Sequence, residues 1–470
     1  MSVLRRAAPW LVPFLLAWSI GAAWAIASPR FSGPDEPAHV RKAAGTVRLQ
    51  GIGSEIPGAP DWLRSFSVPG GVVQPAPNCF AFDPDQPASC QEYPPLPVGD
   101  LLADSSAARY PPLTYAVVGL PSLVVGGYES IYLMRLVQVT VGAAAVALAS
   151  WLLRRSQAGP WAQVGLLVAL TPMVAFLAGV VNPNSVEIVL AVPVWAALVV
   201  TVERRGDLGR AETWTIGGVG AALVLTRQLS AVWLVLGTMV LVIAAGWPVV
   251  RTVVASRRGR VVIGALTGAA IAQVGWLAAA DSLGSVVDPR VAVDDPTSVV
   301  VRTVLGNIGT NVIEMIGVFG WLDTPAPAAT LAAWFGLLGG LAGAVLWASE
   351  RRWGLAVLVG LGLVVVVPAL LEMKDARVTG YYWQGRYTLP LAVLLPILGA
   401  VAVGRGAGGR LPTRVAIGVG SLVAVGHLAA FYVALRRNTV GIDGSPLLRD
   451  GWQPPAPSLA LLAVVAAAVV

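Results

Sequence analysis

The chain has 470 residues, 56% of them hydrophobic and only 12% charged, with a net charge of +7. Ordinary soluble domains carry roughly 25% charged residues, so a globular protein with a wholly water-facing surface is excluded. The basic residues form no basic-aromatic stripe, and zinc-finger spacing and heptad runs are lacking, which removes nucleic acid from the expected partners.

Long apolar runs recur along the chain, most of them able to cross about 30 Å of hydrocarbon. They fall at residues 9–28, 131–153, 161–180, 184–202, 214–226, 229–246, 261–280, 328–348, 354–371, 387–404, 415–435 and 455–470. The pattern predicts an all-α polytopic membrane protein of about 12 transmembrane helices, within a range of 11–13, forming one domain over residues 1–470 with the lipid bilayer as a partner. The first run follows Arg5 and Arg6 and ends in Ala-Ile-Ala-Ser, which has the layout of a secretory signal cleaved after Ala27. Its run of about 20 apolar residues exceeds the ~7–15 of a signal core, so a retained helix is expected. The 214–226 run is short enough to be a half-helix or part of a broken one. Residues 112–127, PLTYAVVGLPSLVVGG, are apolar but short and contain Pro121; a crossing here would invert every later arginine cluster. They are expected to lie at the interface or re-enter.

Orientation follows from the arginines. With the N-terminus inside, the connections on that side carry Arg5, Arg6, Arg154, Arg155, Arg204, Arg205, Arg210, Arg251, Arg257, Arg258, Arg260, Arg351, Arg352, Arg405, Arg410 and Arg414, half of the 32 Lys and Arg. Positive residues mark the cytosolic side. Residues 29–130, a large structured first loop, and residues 281–327 then lie outside. Cys79 and Cys90, both in the first loop, are expected to form a disulfide on that oxidising side.

Residues that are costly in lipid collect at the same outer end. Asp35, Glu36 and His39 follow the first run, Tyr110 opens the 112–127 segment, and Arg135 lies one turn into the next span. Asn182 and Asn184 form a turn, with Glu187 just inside the following helix, and Arg227 sits at a helix junction. Asp323, Lys374, Asp375, Gln384, Arg386 and Tyr387 complete the set. A charge near the bilayer centre costs at least about 2.5 kcal/mol, so Arg135, Glu187 and Arg227 must face protein or a wet cavity. Singly, each is read as an interfacial charge reaching for headgroups. Together they suit one chemistry: a carboxylate takes the proton of an attacking hydroxyl, while arginine donors stabilise a departing phosphate. Asp35 and Glu36, bracketed by Pro34 and Pro37, are candidates for that base, or for holding a divalent cation such as Mg or Mn through oxygen ligands. The residues leave both roles open. His39 is read as an orienting group and His427, in a late apolar run, as packing.

In order along the chain, PDEPAH, YPPLTY followed by LMRL, NPNS, GWLDTPAP and QGRYTLP resemble a bacterial multi-pass membrane family of unknown function that is related to the GT-C glycosyltransferases, over about residues 9–400. The resemblance implies a GT-C-like fold in the bacterial plasma membrane. It implies transfer of a sugar from a polyprenyl-phosphate donor to a cell-envelope glycan or lipid acceptor on the extracytoplasmic face. Asp35 would then be the catalytic base and Glu36 its neighbour and metal ligand. Arg386 would hold the donor phosphate with Arg135 or Arg227, while His39, Tyr110, Asn182, Asn184, Asp323, Gln384 and Tyr387 would line the substrate site. The family's turn leads one to expect an aspartate after the proline, where this chain has Asn184, which hydrogen-bonds but cannot act as a base. Two other classes stay open: a transporter or flippase of lipid-linked glycans, for which similar halves would be expected, and a noncatalytic envelope-assembly protein.

Overall fold

The computed structural model describes residues 2–74, 78–97, 99–282, 292–448 and 451–469, with side chains from residue 9 onward. The side chains of Arg5 and Arg6, and residues 283–291 of the second long loop, lie outside the described residues.

Each of the twelve apolar runs is helical. By length and apolarity, nine helices among the described residues can cross a membrane, or up to eleven if each of two bent pairs is one span. The bends have local causes. Trp161–Ala169 and Pro172–Ala178 meet at 63°, where Pro172 cannot donate to the preceding turn and Thr171 caps the new helix by accepting from Val174 N at 3.4 Å. Ser230–Ala245 and Trp247–Ala255 meet at 116° around Gly246, whose φ of 74° is open to glycine at no steric cost. The 214–226 run lies in a short stack of Arg210–Trp214, a π-helical turn Thr215–Val219, and Gly220–Val224.

The two ends of the bundle differ in chemistry. At one end the arginine-bearing connections meet: Arg155 and Arg204 bond Glu212 at 3.2 and 3.3 Å, Arg405 bonds Glu350 at 2.9 Å, and Trp161 Nε1 donates to Arg410 O at 2.9 Å. The long loops gather at the other end. Helix Thr297–Gly317, within the second of them, is apolar enough to pass as a span. Both of its flanks nevertheless attach to the loop end. Arg377 Nη2 donates to Thr297 Oγ1 at 2.7 Å and Tyr381 Oη to Asp295 at 2.9 Å, while beyond its other end Asp323 accepts from Arg437 Nη2 at 2.6 Å. It therefore begins and ends at the loop end, with Val304, Val312 and Met315 lining one pocket together with Val364 and Val365 of helix Arg351–Thr379, a helical element where only a loop was expected.

The chain is mostly helical, as expected, and the first loop adds most of its few strands. It carries a three-stranded antiparallel sheet, Ser54–Glu55, Arg64–Pro69 and Asp100–Ser105 in that order, with Phe66 opposite Ala103. The buried Phe66 and Val68 pack on Val40, Ala43 and Ala44 of helix Glu36–Val47. The 112–127 segment forms helix Leu113–Val118 and a 3-10 turn Leu120–Leu123, and Arg48 Nη2 fastens it by donating to Ser122 O at 2.7 Å.

Cys79 and Cys90 are bonded, with Cα atoms 6.1 Å apart. The loop they close is docked by buried Arg437, which donates to the carbonyls of Phe80 and Asp83, and by Ile442 N, which donates to Pro84 O at 2.9 Å. Replacing both cysteines by serine is expected to cost about 3 kcal/mol, the chain entropy of a loop this short. Thermal unfolding in detergent without reductant checks this, and an unchanged midpoint would assign the docking to Arg437 and the Ile442 backbone without the disulfide.

Candidate functional site

The segment SPRFSGPDEPAH leaves the first helix and enters the second through a forced turn. A Cβ on Gly33 would meet Val180 at 2.7 Å, so the chain presses against the 180–182 turn. Pro37 suits the first turn of helix Glu36–Val47, where its missing N–H is not needed. Asp35 stands just before that helix at φ 59° and ψ 6°, a left-handed conformation that aspartate visits at a cost of about 1–2 kcal/mol. Its carboxylate caps none of the helix N–H groups. Instead it accepts from Arg386 Nη2 at 2.7 Å and keeps its side chain 54% exposed.

Glu36, the next residue, is enclosed. Arg135 grips it with Nε at 2.8 Å and Nη2 at 2.6 Å, and the backbone N–H groups of Val181 and Gly33 donate to it at 2.8 and 3.3 Å. Arg135 also donates to the carbonyls of Ala25, Ser28 and Pro29 at 2.9, 2.7 and 2.7 Å. This pair is a staple with all its polar capacity occupied.

From Asp35 a chain of contacts closes on itself. Arg386 is 1% exposed and reaches the Tyr387 hydroxyl at 3.3 Å. The guanidinium groups of Arg386 and Arg227 each lie 5.1 Å from the centre of the Tyr387 ring. Arg227 also lies 5.9 Å from the Tyr110 ring, which meets His39 edge-on at 5.6 Å. His39 is one turn beyond Asp35. Asp35, His39, Tyr110, Arg227, Arg386 and Tyr387 thus surround one place.

A second layer holds this ring. Glu187 accepts from Arg227 Nη1 at 3.0 Å, from Ser230 Oγ at 2.8 Å and from Asn184 Nδ2 at 3.2 Å. The QGR turn is fixed from below, Gly385 N donating to Glu314 at 2.6 Å and Trp383 N to Glu372 at 2.9 Å. Gly385 passes so close to Asn311 O that any side chain there would collide. Sequence reasoning missed Ser230, Glu314 and Glu372 as supports, and Tyr115, which bonds His39 Nδ1 at 2.9 Å. Of these, Tyr115 carried a signal, as the last residue of YPPLTY.

Burial lowers the His39 pKa to about 3, with Arg227 and Arg386 pushing the same way and Asp35 opposing. The ring is therefore neutral at physiological pH, which suits an orienting residue and not a proton carrier. Burial likewise raises the Tyr115 hydroxyl, so it stays protonated.

The arrangement is unsaturated in one respect. Among the described residues, Arg386 Nε and Nη1 and Arg227 Nε are buried with no hydrogen-bond partner, as are the acceptor oxygens of Asn184 and Gln384. Buried donors left without acceptors are rare in folded proteins. Three donor nitrogens on two guanidinium groups match an oxyanion such as phosphate.

Several expected site residues do other work. Glu36 and Arg135 form the staple and have nothing left to offer a substrate. Asn182 caps helix Pro183–Glu203, accepting from Asn184 N at 2.9 Å and donating to Pro34 O at 3.0 Å. Asp323 is held by Arg437, Thr324 and Phe82 N beside the disulfide loop. A shared cation between Asp35 and Glu36 does not fit either: Glu36 is fully occupied and Asp35 is already paired with a guanidinium. Among the described residues no group of three His, Cys, Asp or Glu could hold a metal ion.

Fold and site together define a polytopic helical membrane protein with a cluster of two buried arginines beside a half-exposed aspartate at its loop end. The chain belongs to the family described as "Predicted membrane protein (DUF2142)", whose model matches residues 18–395 and so takes in the whole ring from Asp35 to Tyr387. No curated protein matches the sequence.

Two measurements check these assignments. Glu36→Gln is expected to lose about 3–5 kcal/mol of stability by breaking a buried ion pair, whereas Asp35→Asn loses about 1 kcal/mol or less at its half-exposed position. Equal losses in thermal unfolding would contradict the division of roles. Because the folded His39 pKa is depressed below the ordinary 6.5, its contribution is complete above pH 6.5 and fades as pH falls toward 3. His39→Gln should accordingly flatten the acid limb of the stability profile, and a limb of unchanged slope would contradict the buried neutral imidazole.

Proposed function

We propose that the protein is a glycosyltransferase of GT-C type, taking a sugar from a polyprenyl-phosphate donor and passing it to a hydroxyl of a cell-envelope glycan or lipid. The observation that carries this reading is the half-exposed Asp35 carboxylate beside two buried guanidinium groups with unpartnered donors. In this reading Arg386 and Arg227 hold the phosphate, and the free oxygens of Asn184 and Gln384 accept from sugar hydroxyls. The acceptor oxygen attacks the anomeric carbon, the bond from that carbon to the phosphate oxygen breaks, and the acceptor proton passes to Asp35. The sugar inverts and polyprenyl phosphate leaves, its growing charge met by the arginines.

Placement supports the same substrate class. An apolar cavity of about 240 Å³, lined by Val312, Met315, Leu361, Val364, Leu389 and Val393, adjoins the QGR turn and suits a hydrocarbon chain. The arginine clusters at the opposite end and the disulfide at this one support an extracytoplasmic site in a bacterial plasma membrane. With both ends of Thr297–Gly317 at the loop end, the twelve apolar runs would each cross once.

The test is incubation of the purified protein with radiolabelled polyprenyl-phosphate sugars and crude envelope acceptors. The wild type should transfer label, and Asp35→Asn should lower the rate by about 10²–10⁴-fold, the range for a lost general base. Full activity in Asp35→Asn would remove it from the mechanism. Lipid translocation in proteoliposomes without transfer would favour a flippase.

A further inference from the structure

A second feature lies in the membrane region, away from the ring. The first helix, helix Glu129–Leu153, the bent pair Trp161–Ala169 and Pro172–Ala178, and the Thr413–Val440 and Ser458–Val469 helices enclose a groove of about 430 Å³. Its walls are mainly apolar, with Leu16, Ile20, Val139, Val146 and Leu167 among them. Most polar atoms of the wall are turned to one another: Ser150 and Gln163 share two hydrogen bonds of 3.0 and 2.9 Å, and His427 Nε2 bonds Leu170 O at 2.9 Å, while His427 Nδ1 has no partner among the described residues.

One lining residue is different. Arg154 is exposed and, among the described residues, joins no ion pair, whereas Arg155 beside it is paired with Glu212 at 3.2 Å and lies 3.4 Å from the centre of the Trp151 ring. Trp10 packs on Trp151 at 4.7 Å, and tryptophans beside arginines mark headgroup depth. From Arg154 back to Val139 the helix rises about 22 Å at ~1.5 Å per residue. The groove thus starts at an unpaired cation in the headgroup layer and runs as an apolar trench into the bilayer.

We propose that this groove is a binding site for an anionic phospholipid of the arginine-end leaflet, its phosphate on Arg154 and an acyl chain in the trench. A zwitterionic lipid would also fill the trench and bring a phosphate, but its ammonium group offsets that charge, so the net attraction to Arg154 favours the anionic headgroup. The site is independent of the proposed transferase activity.

Native mass spectrometry of the purified protein with phosphatidylglycerol and phosphatidylcholine of identical chains tests this. The wild type should retain the anionic lipid about fivefold better, the effect of ~1 kcal/mol for one arginine near an anionic headgroup. Arg154→Ala should abolish that preference, and Arg257→Ala, an exposed arginine at the same end but outside the groove, should leave it intact. Ala175→Phe, which places a ring in the trench, should reduce retention of both lipids while the unfolding temperature holds. Equal retention of the two lipids by the wild type, an undiminished preference in Arg154→Ala, or an equal loss in Arg257→Ala would overturn the site.

Discussion

Glu36 and Arg135 meet where neither side chain reaches water, and the rest of the loop end is arranged around them. A buried ion pair is tolerable only when its remaining donors and acceptors are also satisfied. Here that condition draws in the last carbonyls of the first helix, the start of helix Glu36–Val47, the flank of helix Glu129–Leu153 and the backbone at Val181. Two neighbouring segments and two that lie 99 and 145 positions further along the chain are locked by one carboxylate and one guanidinium. With Glu36 held inward, the residue before it has little choice. Asp35 takes a left-handed backbone and turns its carboxylate out toward Arg386.

The two adjacent acids therefore serve opposite ends with the same chemistry. Glu36 sits in a closed network, and closed networks rigidify. Asp35 sits in an open one, where Arg386 has two further nitrogens without partners and Arg227 has one. Each arginine is balanced by a single carboxylate, Asp35 for Arg386 and Glu187 for Arg227, and the neutral His39 adds no charge. Under the proposed reading, a donor phosphate and Asp35 compete for the Arg386 guanidinium. Arrival of the donor then frees the base beside it.

Much of this was legible in the sequence, for physical reasons. Apolar runs have to be helical in lipid because every backbone group must be satisfied internally, so helices appear along the expected runs, with nine helices among the described residues long and apolar enough to cross, or up to eleven. The arginine clusters separated the two ends, and that separation placed Asp35 and Arg386 together although they are 351 positions apart in the chain. Pairing was not legible. Nothing in PDEPAH says that Glu36 takes Arg135 while Asp35 takes Arg386, because that depends on a left-handed turn set by packing against Val180. Asp323 was grouped with the site for the same reason, since its partner Arg437 lies at the end of a late helix with no local signal. Helix Thr297–Gly317 escaped notice because Arg302, Asn307, Asn311 and Glu314 interrupt its apolar run. The small sheet was hidden by the brevity of its strands.

The most direct test of the account separates holding the donor from reacting with it. A short-chain polyprenyl phosphate is titrated into the purified protein and its affinity measured for the wild type, Asp35→Asn, Arg386→Gln and Arg227→Gln. Both arginine variants should bind at least about tenfold more weakly, a loss of ~1.4 kcal/mol, while Asp35→Asn binds as tightly as the wild type or more so. Arginine variants with unchanged affinity, or an Asp35→Asn protein that loses the ligand as they do, would contradict it.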